Sequence, residues 1–168
     1  TMLDAASGEL ACGTTGKGRM QEIDVLLAAA QYVLTPKTLV GKRVLITAGP
    51  THEAIDPVRY ITNASTGKMG YAIASACLRR GAQVTLVTGP SQISMKAWEA
   101  FAPLTIVPVK SAMDMYNATL HSFDQSDISI LCAAVADFTP QTQASQKIKK
   151  EKGQTTMTLE MTITKDIA

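Results

Sequence analysis

The sequence contains little cysteine, few aromatic residues and no long apolar run. Its three cysteines, Cys12, Cys77 and Cys132, are odd in number and widely spaced, which favours neither a disulfide framework nor a zinc site. No stretch approaches the roughly 18 apolar residues that a membrane-spanning helix needs, and no basic segment followed by an apolar one opens the chain. We therefore expect a cytoplasmic protein without a membrane partner.

The charge is also nearly balanced. The 16 Lys and Arg residues exceed the 14 Asp and Glu residues by two, too few to coat nucleic acid through a basic surface. With 168 residues, 46% of them apolar, the chain can bury one ordinary core. We expect a globular domain without a nucleic-acid partner, in which any phosphate binding is local.

Continuous apolar runs at 43–48 and 83–88, each closed by Gly-Pro, predict strands buried on both faces, with a helix between them. Further strands are predicted at 104–109 and 127–134, separated by a helix that Ser111 caps. Strands that alternate with helices predict a Rossmann-like α/β fold: an open, mostly parallel sheet with helices on both faces, here cut short at its C-terminal end.

The flanking segments have other patterns. Residues 1–20 are rich in Gly, Ser and Thr and predict a loop or tail, whereas 21–32 have helical spacing that Pro36 ends. Near the C-terminus, apolar and polar residues alternate over 157–164, as in a half-exposed strand. We divide the chain into residues 1–20, a connecting helix and linker at 21–41, and a core at 42–168.

Ligands of open α/β sheets bind beyond the carboxyl ends of the strands, and the loop after the first strand is unusually long. It brings Ser65, Thr66, Gly67 and Lys68 to a helix N-terminus, where free N–H groups favour an anion. The pattern is neither a P-loop nor a dinucleotide fingerprint. Ser65 or Thr66 serving only as a helix N-cap is the alternative.

Other candidate residues lie nearby. Arg59 and Asn63 are four residues apart and would share a site if the loop contained a helical turn, with surface polarity as the alternative. Asp137 follows a predicted strand and could hold a ribose hydroxyl, a metal-bound water or a helix N-terminus. The basic run 147–150 is a cationic clamp if it folds over phosphates and a solvated charge run if it does not.

The sequence contains five phrases in this order: ITAGPT at 46–51, DPVRYITN at 56–63, STGKMG at 65–70, AAVADF at 133–138 and KIKK at 147–150. Together these phrases closely resemble a known family, phosphopantothenate-cysteine ligase, the synthetase half of bacterial bifunctional proteins of coenzyme A biosynthesis. The resemblance covers about 42–168. Upstream, 7–20 resemble the last active-site segment of the FMN-dependent phosphopantothenoylcysteine decarboxylase, the partner half, and Cys12 matches its proton-donating cysteine.

The resemblance implies that 4'-phosphopantothenate attacks CTP, with Mg²⁺, to give an acyl cytidylate that cysteine then converts to 4'-phosphopantothenoylcysteine. It implies that Asn63 polarises the acyl cytidylate, that Arg59 supports its loop and that Lys147, on a mobile flap, neutralises phosphate charge. Segment 65–68 would face phosphate. The implied CTP pocket comprises Leu131, Cys132, Ala133, Asp137, Lys165, Asp166, Ile167 and Ala168.

Parts of the family pattern are missing or altered. Lys165 stands where the family usually has Pro, and the flavin-binding body of the decarboxylase is absent, so we expect neither FMN binding nor a working Cys12 in this chain. The metal ligands are not predicted. The resemblance implies a homodimer through the ligase domain within a larger homo-oligomer, and weak CTP binding or no turnover by the chain alone. The alternatives are an NAD(P)-dependent Rossmann reductase, disfavoured by the missing glycine fingerprint, and a non-catalytic nucleotide-binding fragment.

Overall fold

The computed structural model describes residues 3–165 of the chain, which contain ten strands and four helices. In chain order these elements are β1 (Ala6–Glu9), β2 (Thr15–Arg19), α1 (Ile23–Leu34), β3 (Arg43–Ala48), β4 (His52–Asp56), β5 (Arg59–Thr62), α2 (Lys68–Arg79), β6 (Gln83–Thr88), α3 (Lys96–Glu99), β7 (Leu104–Pro108), α4 (Ala112–Phe123), β8 (Ile128–Leu131), β9 (Phe138–Pro140) and β10 (Met161–Ile163).

A four-stranded parallel sheet in the order β7-β6-β3-β8 forms the centre of the fold. The inner strand β3 pairs in register with β6 from Arg43↔Gln83 to Ala48↔Thr88, and on its other side with β8 from Val44↔Ile128 to Thr47↔Leu131. Five of its six residues are buried, as a continuous apolar run predicts for a central parallel strand. The structure therefore confirms the predicted α/β fold.

Helices cover both faces of this sheet. On one face Val44, Ile46 and Ala48 of β3 belong to the larger apolar cluster, which also includes buried residues of α1, α2 and α3. On the other face Leu45 of β3 packs in a smaller cluster with Met115 of α4. Because successive strand side chains point to opposite faces, the alternation along β3 divides the core into these two layers.

The first 20 residues differ from the predicted loop or tail. They contain the antiparallel hairpin β1–β2, whose turn is closed by the Leu10 and Gly13 N–H groups, which donate to Thr14 and Leu10 carbonyls at 2.8 and 2.9 Å. Gly13 adopts φ +79°, a conformation that glycine takes without steric cost. The hairpin could not be predicted from the sequence, because its strands consist of small and polar residues and have no apolar face to bury.

The long loop after β3 is also more ordered than expected, since most of it forms the hairpin β4–β5. Its turn forms around the carboxylate of Asp56, which accepts the N–H groups of Val58 and Arg59 at 2.9 and 3.0 Å. Arg59 consequently begins an extended strand. The helical turn that would have joined Arg59 to Asn63 does not form.

Towards the C-terminus, β8 ends at Leu131, three residues before the predicted end of that strand. Of the alternating segment 157–164, Met161–Ile163 form β10, which pairs antiparallel with β9. Among residues 3–165, no helix combines the length and the hydropathy needed to cross a membrane.

The N-terminus of α4 is fixed by the predicted cap. The Ser111 hydroxyl accepts the Asp114 N–H at 3.1 Å, and the Asp114 carboxylate accepts the Ser111 N–H at 2.9 Å. We expect Ser111→Ala to lower the free energy of unfolding by about 1 kcal/mol, because the Asp114 N–H in the first turn of α4 loses its side-chain acceptor. Urea denaturation measures the change, with Ser145→Ala in an irregular segment as control. Equal midpoints for both variants would contradict the role of this cap.

Candidate functional site

The strand order of the central sheet reverses at β3. From β3 the chain runs through α2 to β6 on one side, and it returns later to place β8 on the other side. The helix that follows β3, α2, and the helix that precedes β8, α4, pack on opposite faces of the sheet. Open α/β sheets bind their ligands beyond the carboxyl ends of the strands at the point where the strand order reverses in this way. The candidate site comprises the loops that follow Ala48 and Leu131.

Two buried threonines join these loops. The Thr47 hydroxyl accepts the N–H groups of Cys132 and Ala133, both at 3.2 Å, where the β8 ladder has ended. The Thr51 hydroxyl accepts the Ala136 N–H at 3.0 Å. Sequence reasoning missed both residues, although a Thr at the end of an otherwise apolar strand is a usable signal, since a buried hydroxyl needs a partner.

The segment Ser65–Lys68 lies at the N-terminus of α2, as predicted. Ser65 is not the N-cap: its hydroxyl accepts the Gly67 N–H at 3.2 Å, and the Thr66 hydroxyl accepts the Lys68 N–H at 3.4 Å. Gly67 is the N-cap, with φ +78°, and a Cβ there would lie 3.1 Å from the Cα of Gly49. The next N–H groups of the first turn lack intrahelical acceptors, which is the geometry that anion binding requires. Binding of phosphate here stays a prediction.

Asn63 lies beside the loop after β8. Its side-chain amide donates to the Val135 carbonyl at 2.9 Å. The structure thus brings Asn63 together with the predicted pocket residues that follow β8. Leu131 is 41% exposed, and Cys132 and Ala133 are half-buried. Asp137 is exposed and is followed by the strand β9, so its carboxylate caps no helix. The catalytic and binding roles given to these residues stay predictions.

Arg59 lies in a different environment from the one expected. Its guanidinium pairs with the fully buried carboxylate of Asp56, with Nε at 3.0 Å from Oδ2, and it also donates to the Ile148 carbonyl at 2.7 Å. Arg59 does not contact Asn63 through any hydrogen bond of the described residues. Hydrogen bonds from Arg59 hold the pKa of Asp56 well below its usual range. Lys147 is exposed and adjoins this contact.

The remaining predicted residues are dispersed or undescribed. Lys165 lies with its Nζ 5.6 Å from the centre of the Tyr116 ring. Asp166, Ile167 and Ala168 lie outside the described residues. Within residues 3–165, no three or more His, Cys, Asp or Glu side chains cluster as metal ligands.

Cys12 lies at the turn of the β1–β2 hairpin and is exposed. Its Sγ is 3.1 Å from the Thr14 hydroxyl oxygen. Hydrogen bonding from Thr14 lowers the pKa of the Cys12 thiol, because the hydroxyl stabilises the thiolate. Burial raises the pKa of Cys77 and Cys132. The hairpin therefore presents the most acidic of these three thiols to solvent.

This difference predicts the order in which the thiols react. At neutral pH, Cys12 should be alkylated by iodoacetamide more than about tenfold faster than Cys77 or Cys132, because the thiolate is the nucleophile and it is accessible only there. Thr14→Val should slow the alkylation of Cys12, because it raises the pKa of the Cys12 thiol, whereas Thr15→Val should leave the rate unchanged. Site-resolved mass spectrometry measures the rates. Unchanged Cys12 reactivity in Thr14→Val would contradict the role of the hydroxyl.

Comparisons with known proteins identify relatives. A family model described as "DNA/pantothenate metabolism flavoprotein C-terminal domain" matches residues 39–168. The coenzyme A biosynthesis bifunctional protein CoaBC of Vibrio cholerae is 50% identical over 164 residues, which are 96% of this chain and 39% of that protein. A cysteine/cysteine sulfinic acid decarboxylase from an unknown prokaryotic organism is 44% identical, over 99% of this chain and 46% of that protein. This chain therefore spans less than half the length of these two relatives.

A solved structure is similar as well. The crystal structure of the C-terminal domain of CoaBC matches with a TM-score of 0.63 and 41% identity, over 78% of this chain and 58% of that one. The similarity includes the parallel sheet on which the candidate site is built.

These descriptions correct the predicted function and ligands. The matching domain is described as a flavoprotein, and none of the four descriptions names a ligase, CTP or magnesium. We therefore do not retain the CTP-dependent phosphopantothenate-cysteine ligase, its Mg²⁺, or the expectation that FMN has no place here. Motifs at strand ends and turns shape the backbone, and by themselves they do not fix the chemistry. The match over 39–168 shows that the chain belongs to the family described as the DNA/pantothenate metabolism flavoprotein C-terminal domain.

Proposed function

We propose that this chain takes part in the decarboxylation of 4'-phosphopantothenoylcysteine in coenzyme A biosynthesis, and that Cys12 is the acid of that reaction. The observation that carries the proposal is the position of Cys12: an exposed thiol at a hairpin turn, 3.1 Å from a hydroxyl that lowers its pKa. A thiol in such a place can enter another active site without first being uncovered.

The chemistry of the step suits a thiol. Loss of CO₂ from a cysteinyl carboxylate leaves an electron-rich carbon that must be protonated. Cys12 would transfer its S–H proton to that carbon and become a thiolate. The Thr14 hydroxyl, 3.1 Å away, would stabilise the new negative charge by a hydrogen bond.

The extent of the similarity supports this proposal. The decarboxylase relative aligns over 99% of the chain, so its similarity includes the hairpin and does not stop at the sheet. That protein is named for decarboxylating cysteine and cysteine sulfinic acid. Loss of CO₂ from a cysteine-derived carboxylate is the chemistry that its name and our proposal share.

The described residues fit only one part of FMN. Its phosphate suits the first turn of α2, beside Ser65 and Lys68. Four cavities lined by described residues have no Phe, Tyr or Trp in their walls, so none of these four offers the flat ring an aromatic partner. When bound, FMN would supply reversible two-electron transfer with the cysteine-derived group, so that the overall decarboxylation stays redox-neutral. The steps assigned to this chain do not run through it.

A cytoplasmic location and a homo-oligomeric assembly belong to the same proposal. Enzymes of coenzyme A biosynthesis act on small phosphorylated metabolites, and the net charge of +2 is too small to attract a polymeric anionic partner. The oligomeric state follows from the expectation for the family and is measurable by light scattering.

The test is Cys12→Ser in the complete protein that carries this sequence. Product formation from 4'-phosphopantothenoylcysteine should fall at least about 100-fold, because a serine hydroxyl is a far weaker acid, and a decarboxylated intermediate should accumulate. Substrate affinity and flavin content should not change. Cys77→Ala, at a buried position in α2, is the control and should retain activity. Turnover by Cys12→Ser within about twofold of the parent would overturn the proposal.

A further inference from the structure

An ion pair holds one residue of the basic segment, Ile148, by both its N–H group and its carbonyl. The Ile148 N–H donates to the Asp56 carboxylate at 3.1 Å, and the Ile148 carbonyl accepts from the Arg59 guanidinium at 2.7 Å. Asp56 and Arg59 also pair with each other. The three residues form a closed ring of hydrogen bonds between the β4–β5 hairpin and a segment about 90 residues further along the chain.

The segment has few other anchors. Residues 141–160 contain no helix or strand, and we call 145–157 the basic strap. Beside the strap, the Ala144 N–H donates to the Ile55 carbonyl of β4 at 3.0 Å. The Gln141 N–H donates to the Glu160 carbonyl at 2.9 Å and joins the two ends of the segment to each other. Of these contacts, the ring at Ile148 is the one that includes charged side chains, and the others join backbone groups.

The charges and burial give this ring its strength. The Asp56 side chain has no exposed surface, and that of Arg59 is 41% exposed. Hydrogen bonds to a buried carboxylate are stronger than those between neutral groups. Hydrogen bonding from Arg59 keeps the pKa of Asp56 low, so the carboxylate is charged at neutral pH. Lys147, Lys149 and Lys150 are exposed and project from the held peptide.

Next to the ring lies an open cavity of about 330 Å³. Its wall includes Arg59, Ile148, Lys149 and Lys150, and the second half of the strap, Gln154 to Met157, closes the other side. A displacement of Ile148 would move one wall of this cavity and carry the lysines with it.

We propose that Asp56 and Arg59 form a clamp that positions the basic strap on the β4–β5 hairpin. Arg59 is then a positioning residue, because its guanidinium is paired with Asp56. The exposed lysines of the strap are the cations that can bind an anionic ligand. Opening the clamp would free the strap without unfolding the sheet. The inference goes beyond the proposed decarboxylation and does not depend on it.

Limited proteolysis of the chain by trypsin tests the clamp, because Lys147, Lys149 and Lys150 are its cleavage sites. Arg59→Met removes the hydrogen bonds of the guanidinium to Asp56 and to the Ile148 carbonyl. This loss should raise cleavage at these lysines by about tenfold, since cleavage follows the population of the open form. Asp56→Asn should act in the same direction. Arg59→Lys keeps the positive charge but loses the planar guanidinium that donates to both Asp56 and Ile148, so it should give an intermediate rate of cleavage.

The control variant is Asp127→Asn, which removes the carboxylate of the Arg43–Asp127 ion pair elsewhere on the surface. It should leave cleavage of the strap unchanged. Cleavage at Arg80 and Lys96 reports on unfolding of the rest of the chain, so the clamp predicts no change there in Arg59→Met. Amide exchange of Ile148 should accelerate in parallel.

Two results would overturn the clamp. One is an unchanged rate of strap cleavage in Arg59→Met, which is informative even if Asp56→Asn fails to fold. The other is an equal rise at the strap and at Arg80 and Lys96, which would mean that the pair stabilises the whole domain. Either result leaves the decarboxylation test untouched, because that test measures turnover by Cys12→Ser.

Discussion

The candidate site depends on two buried hydroxyls that continue the sheet after its ladder ends. The last β3–β8 pair is Thr47 with Leu131, and beyond it Thr47 and Thr51 accept three backbone N–H groups of the segment 132–136. Each such bond adds only about 1 kcal/mol, but an unpaired buried N–H would cost more. These bonds fix the course of the loop together with a backbone bridge, in which the Ala134 N–H donates to the Gly49 carbonyl at 2.9 Å. Asn63 binds the same loop at Val135.

The elements that were predicted correctly are those whose apolar pattern directly indicates which of their residues are buried. β3 and β6 match the predicted ranges because a strand covered on both faces is a continuous apolar run. The hairpin β4–β5 was missed because a carboxylate, Asp56, forms its turn. The partner of Arg59, Ile148, was also beyond prediction, since it lies 89 residues away and is bound through its backbone.

The functional conclusion changed more than the fold did. The motifs at the strand ends indicate the correct architecture and a place for a ligand, because glycines and small polar residues are needed where loops and helix termini meet. Such requirements are shared by domains with different reactions. The family match over 39–168 replaces the predicted ligase with a flavoprotein domain. Our proposal for Cys12, which lies outside that match, rests on the decarboxylase relative and on the geometry of the hairpin.

Amide hydrogen exchange at Cys132, Ala133 and Ala136 tests most directly whether the two hydroxyls hold the site together. These N–H groups follow the end of β8, so a loop without side-chain acceptors would exchange them rapidly. Our account predicts protection close to that of the β3–β6 ladder, well above that of residues 142–143 in the irregular segment. Exchange at the three amides as fast as at 142–143 would contradict it.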